Sequence, residues 1–346
     1  VSETLKTTLK ILTEGGDLAS EQMRAAMEQV MTGEATPAQI AGFLIALRMK
    51  GETIDEIAAA AQVMRQLASR VETAPDGLVD IVGTGGDAQG TFNISTATSL
   101  VAAAAGARVA KHGNRSVSSR SGSADVLEAA GINLNLSPEQ VAECIDAVGI
   151  GFMFAPLHHS AMRHAVGPRR EMGVRTLLNL LGPLSNPANA PNQLLGVYSS
   201  QWLRPFAEAL AQLGSRHVMV VCSDDGLDEI SHAAPTRVAE LRDGAITEYR
   251  IEPADFGITA GSLEDLRVDD VPGSLARVRH ALEGASEPAA DIVALNAGAA
   301  LYLAGRADDL ASGVVLARSV MMNGAATAKL NELIAFTQGF ADGEHK

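Results

Sequence analysis

One stretch constrains the fold more than any other. Residues 78–82 (Leu-Val-Asp-Ile-Val) read as a buried strand ended by glycines, 97–105 as an alanine-rich helix, and 108–110 (Arg-Val-Ala) as a short second strand. At this spacing the three form one β-α-β unit, whose strands run parallel and need helices to cover them. The alternation continues. Residues 123–130 form a helix stopped by Gly131, Ser137-Pro138-Glu139-Gln140 caps another, and 150–154 and the β-branched run 217–222 are strands. Asp243-Gly244, between 238–241 and 246–249, is a hairpin turn. Residues 275–282, 292–303 and 316–336 return to helix. The expected core is therefore α/β: a mostly parallel sheet flanked by helices on both faces.

The first 70 or so residues read differently. Thr36-Pro37-Ala38-Gln39 and Thr53-Ile54-Asp55-Glu56 are helix starts with a Thr cap and a Gln or Glu three residues on. The residues that follow, Ile40, Phe43, Leu44, Leu47 and Ile57, Ala61, Met64, Leu67, recur at helical spacing. A small all-helical N-terminal part joined to a larger α/β part fits a length of 346 residues.

Bulk composition narrows the function. A formal net charge of −14 opposes a nucleic-acid or membrane-surface binder, and an aromatic content of 3% opposes a base-stacking platform. There is no apolar run long enough to span a membrane. The first residues, Val1 to Lys6, lack the basic and apolar regions of a signal peptide, and Cys144 and Cys222 are the only cysteines, so a cytoplasmic location is expected.

Two polar clusters flank the first crossover. Gly83-Thr84-Gly85-Gly86-Asp87 follows the first strand and leads to Asn93-Ile94-Ser95-Thr96 at a helix start. Free N–H groups and the positive end of the helix dipole favour an anion there. The hydroxyls of Ser95 and Thr96 add donors, or Ser95 ligates a metal. The run Gly83 to Ala88 formally satisfies G-x-G-x-x-A. However, the helix opens only near Asn93 and the second strand runs into Lys111-His112 rather than an acid, so a dinucleotide site is rejected. No Gly-Lys-Ser/Thr follows, so it is not a Walker A loop.

The second cluster is Lys111-His112-Gly113-Asn114-Arg115-Ser116-Val117-Ser118-Ser119, with two cations, a glycine, an amide and three hydroxyls. With the first it reads as a cradle for a phosphorylated sugar. Asp224-Asp225-Gly226-Leu227-Asp228-Glu229 follows the strand 217–222, where acids face the ligand crevice of an open α/β sheet. Beside two phosphate cradles, Asp228 and Glu229 read as ligands for Mg²⁺. His158, His159 and His164 lack a zinc spacing and read as structural or pocket-lining residues.

Taken together, these blocks resemble the anthranilate phosphoribosyltransferase family. The matching motifs are Gly83 to Asp87, Thr91 to Thr96, Lys111 to Asp125, Arg169-Arg170-Glu171-Met172-Gly173-Val174-Arg175-Thr176, Asn179 to Pro187, Asp228-Glu229 and Asn296-Ala297-Gly298. They run in fixed order over essentially the whole chain. Ala88-Gln89 departs from the pattern, where a glycine is expected after the aspartate.

The resemblance implies a helical domain over residues 1–72, joined by helices from about 169–190, and a phosphoribosyltransferase domain over 73–346, with the active site between them. It implies a homodimer formed through the helical domains. Its implied ligands are phosphoribosyl pyrophosphate (PRPP), anthranilate and Mg²⁺ as two ions. Gly83, Gly86, Asp87, Thr91, Asn93, Ile94, Ser95, Thr96, Lys111 to Ser119 (including Ser116, Val117 and Ser118) and Ser123 would hold PRPP. Gly83, Asn114 and Arg169 would contact anthranilate, and Ser95, Asp228 and Glu229 would hold the metal. His112 is a candidate base for a proton released late in the reaction. Two other functions are compatible with this architecture: a pyrimidine-nucleoside phosphorylase, opposed by the Asn93–Thr96 block and the Asp228-Glu229 pair, and a non-enzymatic nucleic-acid-binding relative, opposed by the charge.

Overall fold

The computed structural model describes residues 3–85, 89–116, 121–284 and 287–342. In chain order these form α1 (Glu3–Thr13), α2 (Ser20–Thr32), α3 (Pro37–Lys50), α4 (Ile54–Leu67), β1 (Leu78–Gly83), α5 (Ile94–Ala104), β2 (Arg108–Gly113), α6 (Ser123–Ala130), α7 (Pro138–Val148) and β3 (Ile150–Phe154). Then follow α8 (Ala155–His158), α9 (Arg163–Met172), α10 (Leu177–Leu181), β4 (Asn192–Gly196), α11 (Leu203–Gln212), β5 (His217–Ser223), β6 (Thr236–Arg242) and β7 (Ala245–Ile251). The chain finishes with α12 (Val271–Leu282), α13 (Pro288–Leu303), α14 (Leu310–Met322) and α15 (Ala325–Asp342).

The two N-terminal capping boxes form as expected: Gln39 N donates to Thr36 Oγ1 at 3.3 Å and Glu56 N to Thr53 Oγ1 at 3.2 Å. Glu56 is fully buried and also binds across the layer, accepting from Leu18 N at 2.9 Å and from Lys50 Nζ at 2.9 Å. Its charge is thus paired and hydrogen-bonded, the condition under which a carboxylate tolerates burial.

The strands form one sheet in the order β3-β2-β1-β4-β5-β6-β7. β3, β2, β1, β4 and β5 run parallel; β6 and β7 are antiparallel. Asp243 (φ 51°) and Gly244 (φ 80°) turn the final hairpin, the backbone such a two-residue turn requires. The period-2 alternation of β5 sorts its side chains between two apolar layers. Met219 and Val221 pack towards the side of α5 and α12–α14, and Val218, Val220 and Cys222 towards the side of α11. The N-terminal helices share that second core, and α9 and α10 pack against them: α9 on α2 and α3, α10 on α3 and α4.

Three expectations change. The second strand does not stop at Ala110. It continues through Lys111, His112 and Gly113, which pair with Phe152, Met153 and Phe154 of β3. Helix 316–336 is two helices, broken at Gly324 with φ 81°. Finally, β4 and α11 carry no mark in the sequence pattern, yet β4 is a central strand.

Candidate active site

The chain runs from β1 to β2 and β3 on one side, then returns to place β4 and β5 on the other. The order therefore switches between β1 and β4, and the carboxyl ends of those strands frame the crevice where open α/β sheets take ligands. Gly83–Gly85 leaves β1 at this point. Thr84 N donates to Gly196 O at the end of β4 (2.9 Å), and Gly85 N donates to Asp228 Oδ2 (2.9 Å). Two glycines make room for Asp228. A Cβ at Gly83 would meet its Oδ2 at 2.5 Å, and one at Gly196 would overlap its carbonyl oxygen. Asp228 itself is only 9% exposed.

The loop bearing Asp228 and Glu229 is held from three sides. Asn296 on α13 accepts from Ile230 N at 2.9 Å and donates to Ile230 O at 2.8 Å. Ser231 Oγ donates to Asp225 Oδ2 at 2.7 Å. Asp224 pairs with Arg237 at 2.9 Å and with Arg250. Asp224 and Asp225 are thus engaged within the fold, while Asp228 reaches the glycine turn.

Between β1 and β2 the ladder covers Leu78↔Arg108 and Val79↔Val109, and beyond it side chains bridge the strands. Asp80 Oδ1 accepts from His112 N at 3.3 Å, Asn186 Nδ2 donates to Ala110 O at 2.9 Å, and Lys111 Nζ donates to Ile81 O at 2.8 Å. Lys111 Nζ also reaches Ser95 Oγ at 3.2 Å. Lys111 is therefore a buried strand cation joining β1 to the start of α5, and not a loop residue. Burial pushes its ammonium down to about 8, against the attraction of Asp80 and Glu229. Burial pushes Asp80 up to about 6, opposed by its bond from Asn186 and by Lys111.

Segment 90–93 is pinned from outside. Phe92 N donates to Leu266 O (3.0 Å), Val268 N donates to Gly90 O (3.0 Å), and Thr91 bridges Arg267. Asn93 caps α5 by position, but its amide oxygen accepts from Ser121 Oγ and Ser274 Oγ, both at 2.7 Å. Its side chain therefore braces the loops around the helix start. Ile94 is buried in the core. The Thr96 hydroxyl is buried with no hydrogen-bond partner among the described residues.

On the far side of β2, the Asp125 carboxylate gathers Ser116 N and Gly122 N, both at 3.1 Å. Gly113 lies so close to Ser123 and to the Phe152 ring, whose Cε2 a Cβ would meet at 2.7 Å, that a side chain there would displace them. Ser123 Oγ and Ala124 N approach Asn114 O at 3.4 and 3.3 Å. Arg115 does not present a free charge: it pairs with Glu128 at 2.7 and 2.9 Å and with Asp125 at 3.0 Å. Gly86, Asp87, Val117, Ser118 and Ser119 lie outside the described residues.

His112 is buried beside His159, their rings 5.0 Å apart. Burial, then the neighbouring His159 and His158, push His112 down to about 3, so it is neutral at physiological pH. His158 Nδ1 lies 2.9 Å from Ser69 O, the structural role expected of it. Arg169, on α9, is half-buried, and its guanidinium has no hydrogen-bond or ion-pair partner among the described residues; desolvation lowers its pKa. Ser121 and Arg175 lie inside matching blocks but carry no role there, and Ser274 and Tyr198 lie outside every block. Serines distant in the chain leave no local signal, and a lone arginine is usually a surface group.

The chain has counterparts among known proteins. Residues 75–327 match the model of the glycosyl transferase family a/b domain, and residues 6–68 that of the same family's helical bundle domain. The anthranilate phosphoribosyltransferase of Thioalkalivibrio sulfidiphilus is 63% identical over 96% of this chain and 98% of its own. The chain belongs to the anthranilate phosphoribosyltransferase family. A crystal structure of the Thermus thermophilus enzyme is 44% identical, covers 96% of this chain and 99% of its own, and superposes with a TM-score of 0.91. The Saccharomyces cerevisiae enzyme, solved in complex with PRPP and Mg, is 26% identical, covers 98% and 99% of the two chains, and gives 0.89. The chain shares their architecture, an α/β domain with a small helical one.

Proposed function

We propose that this chain transfers the phosphoribosyl group of PRPP to the amine of anthranilate, releasing pyrophosphate, as a step of tryptophan biosynthesis. The observation that carries the reading is the convergence of the Gly83–Gly85 turn, Asp228 and the start of α5 at the β1/β4 switch point. The positive end of α5 suits the donor's phosphates, and the family supplies the substrate class.

In this reading Gly83, Thr91, Ser95, Thr96, Lys111, Asn114, Ser116 and Ser123 line the donor, together with Gly86, Asp87 and Val117–Ser119. Asn93 and Arg115 act one step removed, bracing loops. Arg169 supplies the cation for the anthranilate carboxylate, beside Gly83 and Asn114.

The donor set fits Mg²⁺. Asp228 and Glu229 are hard oxygen ligands, and the Ser95 hydroxyl is tied through Lys111 to the same crevice. Among the described residues no three His, Cys, Asp or Glu side chains form a cage. This suits an ion that keeps its waters and binds through one or two carboxylates and substrate phosphates. Mg²⁺ held by Asp228, Glu229 and Ser95, as two ions in this reading, would stabilise negative charge on pyrophosphate.

The protein's own residues do the rest. An aryl amine is neutral at pH 7 and attacks C1 of the ribose as pyrophosphate leaves, so no covalent enzyme intermediate forms. The crevice aligns the two partners. The arylammonium produced is strongly acidic, so even a weakly basic group such as His112 suffices to take its proton. The two-part division at about residue 72, a homodimer through the helical layer and a cytoplasmic site of action complete the reading. Of these, the two-part division is supported by the packing of α9 and α10 on α2–α4.

The test offers two substrate pairs: PRPP with anthranilate, and a pyrimidine nucleoside with inorganic phosphate. Pyrophosphate from the first and no free base from the second supports transfer to anthranilate. Free base from the second alone makes the chain a phosphorylase.

A further inference from the structure

Arg175 sits in the short connector between α9 and α10, fixed on one side by Gly173 (φ 63°) and on the other by the Thr176 N–H donating to Asn179 Oδ1 at 3.1 Å. Both helices belong to the helical layer, yet the Arg175 side chain leaves it. Its Nη2 donates to Gly85 O at 2.9 Å, and its guanidinium carbon stands 4.3 Å from the centre of the Tyr198 ring. Tyr198 is itself joined to the same turn, its N–H donating to Thr84 Oγ1 at 3.3 Å. Behind it, Trp202 Nε1 donates to Tyr198 OH at 2.9 Å, and the Trp202 ring meets buried Phe206 edge-on at 5.8 Å.

We propose that Arg175 is a positioning residue for the donor substrate, a latch that fastens the Gly83–Gly85 turn to the helical layer with Tyr198 and Trp202 as its backing. Gly85 adopts φ 65°, a conformation whose N–H goes to Asp228 and whose carbonyl goes to Arg175. The turn is thus held from the acidic loop on one side and from the helical layer on the other. A guanidinium gives the hydrogen bond and the ring contact together; an ammonium gives the first with a weaker second. The proposal rests on the reading that this turn holds PRPP.

The experiment compares wild type, Arg175→Met, Arg175→Lys and Tyr198→Leu, titrating PRPP with Mg²⁺ by calorimetry and measuring KM for both substrates and Tm. Removing a charge-assisted hydrogen bond should weaken PRPP about tenfold in Arg175→Met, while KM for anthranilate moves less than about twofold. Arg175→Lys should recover part of the loss. Tyr198→Leu should weaken PRPP in the same sense, and the double variant should lose less than the product of the singles. Trp202, the only tryptophan, gives a second readout: its emission should respond to PRPP in wild type and respond less in Arg175→Met. Unchanged PRPP affinity in Arg175→Met overturns the latch and leaves the functional reading standing. Equal weakening of both substrates with a fallen Tm also overturns it, as mere support of the fold. Absence of PRPP binding by a folded wild type overturns both.

Discussion

Replacing Gly196 by alanine tests how the site is built without altering any residue expected to touch substrate. Gly196 ends β4 and has no need of a left-handed backbone, so the cost comes from contact alone. The added Cβ would overlap Asp228 O and stand 2.5 Å from its carbonyl carbon and 3.2 Å from its Cα, all backbone atoms that no rotamer change can move aside. Ordinary contact begins at 3.4 Å, so Asp228 O, the nearest of these atoms, must retreat by about 2 Å. The loop is also tied to Asn296 and to the glycine turn, so the movement carries Asp228 away from Gly85 N. A misplacement of about 1 Å at a positioned group costs on the order of 100-fold in rate, and overpacking at such a site costs about 1–3 kcal/mol of stability. The assay is steady-state turnover of anthranilate and PRPP at saturating Mg²⁺, with Tm measured alongside. Turnover near wild type in Gly196→Ala would refute the claim that β4 sets the position of Asp228.

Three other outcomes follow from the same geometry. Asp228→Asn combined with Glu229→Gln should lower turnover by about 100-fold or more at limiting Mg²⁺ with the circular dichroism spectrum unchanged; turnover equal to wild type would remove the metal assignment. Arg169→Ala should raise KM for anthranilate about tenfold or more through loss of a charged contact, and PRPP far less; equal effects on both would refute it. Acid should destabilise the fold early. Burial holds His112 down at about 3 and His159 at about 4, so the stability these neutral rings contribute is complete above pH 6.5 and is lost as pH falls towards those values. Each contributes a loss of about 1.4 kcal/mol per pH unit in that window. Asp80, raised to about 6 by burial, works the other way, taking up a proton in the folded state first and offsetting part of the loss. Chemical denaturation should show lower stability at pH 5 than at pH 7.5, less so in His159→Gln; equal stability at both values would contradict the burial argument.

The sequence carried the architecture where apolar period and punctuation agree. The first crossover unit, the two capping boxes and the Asp243-Gly244 hairpin all appear as read. β4 escaped because Asn-Gln-Leu-Leu-Gly offers only two adjacent apolar residues. Its polar start is satisfied by tertiary bonds: Asn192 Nδ2 to Leu78 O at 2.9 Å and Gln193 Nε2 to Pro183 O at 2.7 Å. The second strand read as ending at Ala110 because a cation and an imidazole rarely sit inside a strand. The burial of Lys111 and His112 depends on Ile81 O, Asp80 and Ser95, which no local pattern reveals. Arg115 looked like a phosphate ligand, but its partners lie on the next helix at Asp125 and Glu128. The glycine, Lys111–Ser119 and Asp228-Glu229 motifs were legible as motifs. What holds them in place, Gly196, Ser274 and the bonds that Asn296, Ser121 and Arg175 make, is set by contacts between distant segments.

Transfer from PRPP to anthranilate is checked by mixing the folded chain with anthranilate, PRPP and Mg²⁺ and following anthranilate fluorescence. The expected result is a loss of signal that needs both PRPP and Mg²⁺, is stopped by EDTA, and is matched mole for mole by released pyrophosphate. Steady fluorescence and no pyrophosphate from a properly folded chain would contradict the assignment.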